Sequence, residues 1–166
     1  MKDRATRRRQ RAPGTVSALA TFLTILLIGC IGSPPATTEE DAAAKRFEPE
    51  TGSAVVYVYR NSLIAAIETF RLYMDRSLVG DSRNESFFRI VVPPGVHTLT
   101  VTNVRNVKLH DMIVTTDSDN IYYVDMQIGA SPVSGRPKLV LVSQNEAQPR
   151  VRQCSLLKTG TTALDR

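Results

Sequence analysis

The chain has 166 residues, 42% of them hydrophobic, with two cysteines, no tryptophan and a formal charge of +5, enough for one ordinary domain plus extensions. Six of the 21 Lys and Arg precede Cys30 but only one of the 16 Asp and Glu does, which leaves fifteen of each sign after it. The basic excess therefore belongs to the leader, and the neutral remainder lacks the electrostatic footprint of a nucleic-acid binder.

Residues 1–29 follow the order of a secretory signal. MKDRATRRRQR is a basic n-region, and VSALATFLTILLIG, Val16 to Gly29, is an uncharged h-region. Leu27-Ile28-Gly29-Cys30 then closes the segment. This run resembles the bacterial lipobox, in which a small residue precedes the cysteine. The resemblance implies that the Cys30 thiol receives a diacylglycerol, that the chain is cut before Cys30, and that the new amine is acylated, with palmitate as a typical chain. The alternative is a transmembrane anchor. Val16 to Gly32 offers 17 uncharged residues, at the bottom of the roughly 17–25 that a spanning helix uses. Both readings place the rest of the chain outside the cytoplasm. RRRQRAPG lacks the apolar motif of a twin-arginine signal.

Residues 30–52, rich in Pro, Thr, Ala and Glu, read as the lipidated cysteine and a flexible tether, with a helical turn feasible at Ala42–Ala44. A domain is expected over residues 53–158. SAVVYVYR has the continuous apolar character of a strand covered on both faces. NSLIAAIET fits either a short helix or a loop. FRLYMD alternates, with Phe70, Leu72 and Met74 on one face, and SLVGD returns after a turn at Asp75-Arg76-Ser77. FFRIVV and VHTLTVTNV flank a turn at Pro93-Pro94-Gly95, with His97, Leu99 and Val101 on one face. DMIVTTD and IYYVDMQIG read as a further hairpin around Ser118-Asp119-Asn120, and PKLVLV as the last strand. Ser143-Gln144-Asn145-Glu146 has capping-box form and opens a helix toward VRQCSLL, with Pro149 tolerable only near its start. Residues 159–166 read as a disordered tail. The expectation is a mainly β fold, an antiparallel β-sandwich of about seven strands with a short C-terminal helix.

In order, AVVYVYRNS, FRLYMDRSLVGDS, FFRIVVPPGVHTLTV, IYYVDMQIG and GRPKLVLVSQNEAQPRVRQCSLL resemble a bacterial lipoprotein-associated family, domain of unknown function 2846. A looser similarity links the middle hairpin to PEGA-type β-sandwich domains. The matching positions are Tyr57, Tyr59, Arg60, Gly80, Phe88, Pro93, Pro94, Gly95, His97, Leu99, Tyr122, Tyr123 and Arg136. The resemblance implies a sandwich fold and an envelope location, and it implies no activity. Arg76 stands where the family has the glycine of Asp-Gly. A tight type I′ turn there needs positive φ, so a looser loop is expected.

Candidate chemistry is sparse. His97 and His110 are the only histidines, and neither has convergent ligands at a recognisable spacing. His97 is expected to be packed and hydrogen-bonded, and His110 to lie on loop surface. Asp117-Ser118-Asp119-Asn120 opens like a calcium loop, but Ile128 stands where the closing glutamate belongs, so it reads as a polar hairpin turn. Cys154 reads as a buried filler, and the tyrosines as core or sheet-face packing. No catalytic residue, metal site or cofactor is expected. The predicted role is a non-catalytic interaction or structural module, tethered by Cys30 and facing the periplasm. Its partners are the membrane, through the lipid, and an envelope protein or glycan. Ile31 is not the aspartate linked to inner-membrane retention, which favours the outer membrane. The alternative is a module for peptidoglycan, another glycan or a small ligand at a loop end of the sandwich, favoured by tyrosines exposed beside Arg60 or Arg136; the candidate interaction or signature residues are Tyr59, Arg60, Pro93, Pro94, Gly95, His97 and Arg136.

Overall fold

The computed structural model describes residues 32–62, 64, 66–129 and 135–160. Among these, nine strands and two helices follow in chain order: α1 (Thr38–Ala44), β1 (Ala54–Arg60), β2 (Phe70–Met74), β3 (Ser77–Ser82), β4 (Ser86–Val92), β5 (Gly95–Asn103), β6 (Lys108–Thr116), β7 (Ile121–Gly129), β8 (Arg136–Val142), α2 (Gln144–Arg152) and β9 (Ser155–Leu156). They build a β-sandwich. A five-stranded sheet runs β8-β7-β1-β4-β9, and a four-stranded sheet runs β3-β2-β5-β6. The smaller sheet is antiparallel throughout, whereas the larger contains the parallel pairs β1·β7 and β4·β9. The sandwich expected from sequence is thus present, with more strands and one mixed sheet. β7 returns to β1 after the chain has passed through the other sheet, so no tight reversal dictates its direction.

The inner faces follow the period-2 pattern. Phe70, Leu72 and Met74 of β2 and His97, Leu99 and Val101 of β5 point inward, against Val56, Val58, Phe88, Ile90 and Val124 of the larger sheet. β1 is buried at all seven positions, because its other face is also covered. Val55, Tyr57 and Tyr59 lie beneath Ala44 and Phe47 on the α1 side and Ala147, Val151 and Cys154 on the α2 side. No helix among the described residues is long and apolar enough to cross a membrane.

Several expectations are corrected. The tether expected over residues 30–52 is docked from Ser33 onward. Asp81 N–H donates to Ser33 Oγ at 2.9 Å, Pro35 bridges Leu157, and Ala36 N–H donates to Leu156 O. Thr37 and Glu40 form a complete capping box for α1, and Ala44 and Phe47 are buried. Proline and alanine richness concealed a helix that needs only two apolar contacts to dock. Of the tail expected over residues 159–166, Gly160 N–H donates to Val79 O at 2.7 Å; residues 161–166 lie outside the described residues. Asp117–Asn120 is not a hairpin turn, because β6 and β7 belong to different sheets. It is a corner, pinned where Asp119 Oδ1 accepts from Gly52 N–H and Asp119 N–H donates to Ser53 O. Pro93-Pro94 forms another corner between the sheets. His110 lies within β6, half-buried, not on a loop.

The loop at Arg76 is not loose either. β2 and β3 are joined by two residues, Asp75 and Arg76, with φ of 50° and 69°. Arg76 thus adopts the left-handed backbone without being glycine, held by flanking contacts. Asp75 N–H donates to Thr98 O, and Thr98 N–H donates to Asp75 Oδ1. α2 starts at its Ser143 cap as expected and continues through Pro149, where the proline removes the N–H that would bond Asn145 O.

Candidate functional site

A groove of ≈ 570 Å³ lies between α1, the segment after it, Arg89 of β4 and residues 156–159. Its floor is small and apolar, with Ala36, Ala43, Ala44 and Leu157, and its rim is charged. The rim charges pair internally: Arg89 Nη2 to Glu50 Oε1 at 2.6 Å, Arg46 Nε to Glu48 Oε1 at 3.1 Å, and Lys158 Nζ to Glu40 Oε2 at 3.7 Å. The Glu40 carboxyl lies below its ordinary range because the Thr37 backbone N–H donates to it. This is a polar groove that presents both signs of charge.

Beneath it the tyrosines form a packed layer. The Tyr57 hydroxyl donates to Ala44 O at 2.6 Å, tying β1 to the end of α1, and burial raises its pKa. Arg89 couples this hydroxyl to Glu50. Burial works against the Arg89 charge, yet Glu50 and Tyr57 hold its pKa above the ordinary guanidinium value. Phe47, Phe87 and Tyr123 pack around Tyr57 at centroid distances of 5.4, 6.0 and 5.4 Å. Tyr59 is also buried, and its hydroxyl has no hydrogen bond of good geometry among the described residues. Beside it lies the Asp125 carboxylate, itself only 4% exposed. Burial pushes both groups toward their neutral forms, and Arg150 reaches Asp125 Oδ2 at 3.3 Å. These rings are therefore unavailable as an exposed stacking platform.

Arg60 is fully buried. Its Nη1 donates to Glu68 O at 2.6 Å, and its guanidinium lies 5.0 Å from the Phe70 centroid. It fastens the β1–β2 connection to the start of β2, while burial lowers its pKa. Cys154 packs with its Sγ 3.7 Å from Arg60 O. Burial pushes the thiol up to about 12, so the thiolate that nucleophilic or redox chemistry needs is strongly disfavoured.

His97 joins two turns. Its Nδ1 lies 2.6 Å from Asp75 Oδ2 and its Nε2 2.8 Å from Pro93 O, and the ring is 7% exposed. Both partners are acceptors, a carboxylate and a carbonyl oxygen. Thr116 Oγ1 adds a bond to Pro93 O at 3.2 Å. Pro93 and Pro94 are themselves exposed, Gly95 is partly covered, and the signature glycine Gly80 sits where a side chain would strike the Phe88 ring at 2.8 Å and Ser33 Oγ.

Of the residues singled out by sequence, His97, Pro93, Pro94 and Gly95 come together as a structural clamp at one end of the sandwich. Tyr59 and Arg60 are buried in β1, and Arg136 is exposed at the other end. They do not form one site. Leu27, Ile28, Gly29 and Cys30 lie outside the described residues. The groove was missed because its walls are far apart in the chain. Only the Thr37-x-x-Glu40 capping signal could have indicated that residues 36–50 fold against the domain.

An uncharacterized protein of Haemophilus influenzae is 27% identical over 133 residues, which span 80% of this chain and 78% of that protein. The family model described as "Protein of unknown function (DUF2846)" matches residues 50–137, from the groove-lining Glu50 through the clamp to the start of β8. That stretch is more than half of the chain, and the chain belongs to this family.

Proposed function

We propose that this is an envelope lipoprotein, anchored through acyl chains on Cys30 and displaying its β-sandwich as a non-catalytic interaction module on the periplasmic side of the outer membrane. The observation that carries this reading is the distance between the lipobox and the fold. Ser33 already accepts a hydrogen bond from the sandwich, so only about 11 Å of fully extended chain separates it from Cys30. A lipobox cysteine this close to a folded edge supports a module carried directly on its anchor. Two or three acyl chains, at about 0.8 kcal/mol per buried CH₂, hold it there stably, where one chain binds only marginally. The non-catalytic part is supported by how the reactive side chains are used. His97 is clamped at both nitrogens and Cys154 is sealed beneath α2.

The test is intact-mass and N-terminal peptide analysis of the protein extracted from membranes. An acylated Cys30 as the first residue is expected, and Cys30→Ala should accumulate with its leader attached or leave the membrane fraction. An unacylated chain that keeps its leader would overturn the reading. A second reading, a small-ligand module, is favoured by the groove: its paired rim suits a small zwitterion exchanging with the Arg89–Glu50 and Lys158–Glu40 pairs. Protection of those residues in ligand-screening NMR would establish it.

A further inference from the structure

The two ends of the sandwich differ in charge and in apolarity. At one end lie the Asp75-Arg76 turn, the Pro93-Pro94 corner and the Asp117–Asn120 corner, with Asp75, Asp117 and Asp119 all exposed. At the other end lie the loop from β1 to β2, the β3–β4 turn, the β5–β6 turn and the start of β8. Phe70 pairs with both Ser82 and Asn103, so the first three of these connections meet side by side.

Among the described residues, that second end exposes four aliphatic side chains on its connections: Ile64 at 43%, Ile67 at 98%, Val104 at 47% and Val107 at 55%. An isoleucine almost wholly in water contributes nothing to the fold of the isolated domain. Around it Arg83, Arg105 and Arg136 are exposed and make no ion pair among the described residues, while Lys108 pairs with Asp111. Glu68 and Glu85 are the acids on these connections. Apolar tips within a cationic surround are the combination that binds an anionic bilayer, where apolar burial and electrostatic attraction add.

The position of the chain start selects the same occupant. Ser33 docks on Asp81, one step in register from the Ser82–Phe70 pair that borders the basic end. Resting on the anchored reading above, Cys30 then lies within about 11 Å of Ser33. We propose that Ile64, Ile67, Val104 and Val107 form a bilayer-docking surface for anionic lipid, and that the acidic end points away from the membrane. The lipid anchor supplies proximity, and the basic end supplies orientation.

The chain has no tryptophan, so a single introduced one reports its own surroundings. Full-length Ile67→Trp and Ser118→Trp proteins, purified from membranes, are reconstituted into vesicles of phosphatidylcholine with or without phosphatidylglycerol, using brominated acyl chains as quenchers. The indole of Ile67→Trp should be quenched and blue-shifted in the vesicles with phosphatidylglycerol, and that of Ser118→Trp should not. Adding Arg105→Glu to Ile67→Trp should lower its docked-to-undocked ratio by fivefold or more, at about fivefold per cation lost. An unquenched Ile67→Trp indole, or equal quenching in both proteins, overturns the proposal, as does quenching insensitive to phosphatidylglycerol. Intact mass of the same preparations separates the two readings. Acylated Ile67→Trp protein without quenching overturns the docking surface alone, whereas unacylated Ile67→Trp protein that is quenched overturns the anchor and supports the surface.

Discussion

The two sheets of the sandwich share a core and differ in what covers their outer faces. The five-stranded sheet is buried on both sides around β1, because α1, Phe47 and α2 lie over Val55, Tyr57, Phe87 and Tyr123. Among the described residues the four-stranded sheet is bare outside, where Thr98 and Thr100 are partly exposed and Val96 and Ile113 are 69% exposed. The same alternating pattern therefore has different energetic weight in the two sheets. In β1 of the covered sheet every residue is a packing residue, while in β2 of the bare sheet only every second one is fully buried. The sharpest test is a pair of truncations on the two outer faces. Phe87→Ala should cost about 3–5 kcal/mol, as a buried aromatic does, and Ile113→Ala should stay within about 0.5 kcal/mol of the parent. Urea unfolding of both proteins reads this directly, and equal losses would erase the distinction between the sheets.

Within the covered face, Tyr57 and Tyr59 are two residues apart and equally buried, yet their hydroxyls differ. Tyr57 donates to Ala44 O, and Tyr59 has no such bond. Tyr57→Phe removes one of the two donors to Ala44 O, which keeps the Phe47 N–H, and should cost about 0.5–1.5 kcal/mol, whereas Tyr59→Phe should be neutral or slightly stabilising. Amide exchange over Thr38–Ala44 adds a check, since Tyr57→Phe should loosen α1 specifically. Equal effects of the two substitutions would mean that the hydroxyls play the same part.

Burial of β1 on both faces was legible from its unbroken apolar run, and the one-sided burial of β2 and β5 from their alternation. What covers β1 was not legible, because α1 and the residues just after it contribute little more than Ala44 and Phe47 from a segment that reads as a linker. Sheet membership was hidden for a different reason. Pro93-Pro94 and Asp117–Asn120 announce a change of direction, but turn chemistry does not say which sheet the next strand joins. Of the candidate site, Arg60 and His97 could be singled out by residue type but not assigned their partners. Glu68 O and Asp75 meet them only through the fold. The tight turn at Arg76 was hidden because arginine carries no left-handed preference. Arg76→Gly removes about 1–2 kcal/mol of backbone strain and gives up roughly 0.5–1 kcal/mol through unfolded-state entropy. A net gain of about 0.5–1 kcal/mol is expected, seen as a higher urea midpoint with unchanged slope. A loss would show that the Arg76 side chain makes a contribution larger than the strain.

The smallest effect belongs to the one carboxylate placed under the helical cover. Asp125 is buried beside Tyr59, and burial raises its pKa despite Gln127 and Arg150. Between the ordinary carboxyl range and that raised value, the native state binds more protons than the unfolded state. Stability therefore falls as pH rises through this window and levels off above it. Asparagine keeps an acceptor for Gln127 and Arg150 and carries no charge to desolvate. Asp125→Asn should thus match the parent below the ordinary carboxyl range and exceed it near neutrality, by on the order of 0.5 kcal/mol. No carboxylate among the described residues of the bare sheet has this burial: Asp111 of β6 is exposed, and the Lys108 side chain that bonds it lowers its pKa. Asp111→Asn should shift the pH profile the opposite way, losing stability where Asp125→Asn gains it. If the two profiles moved in the same direction, the difference in cover between the sheets would not govern their electrostatics.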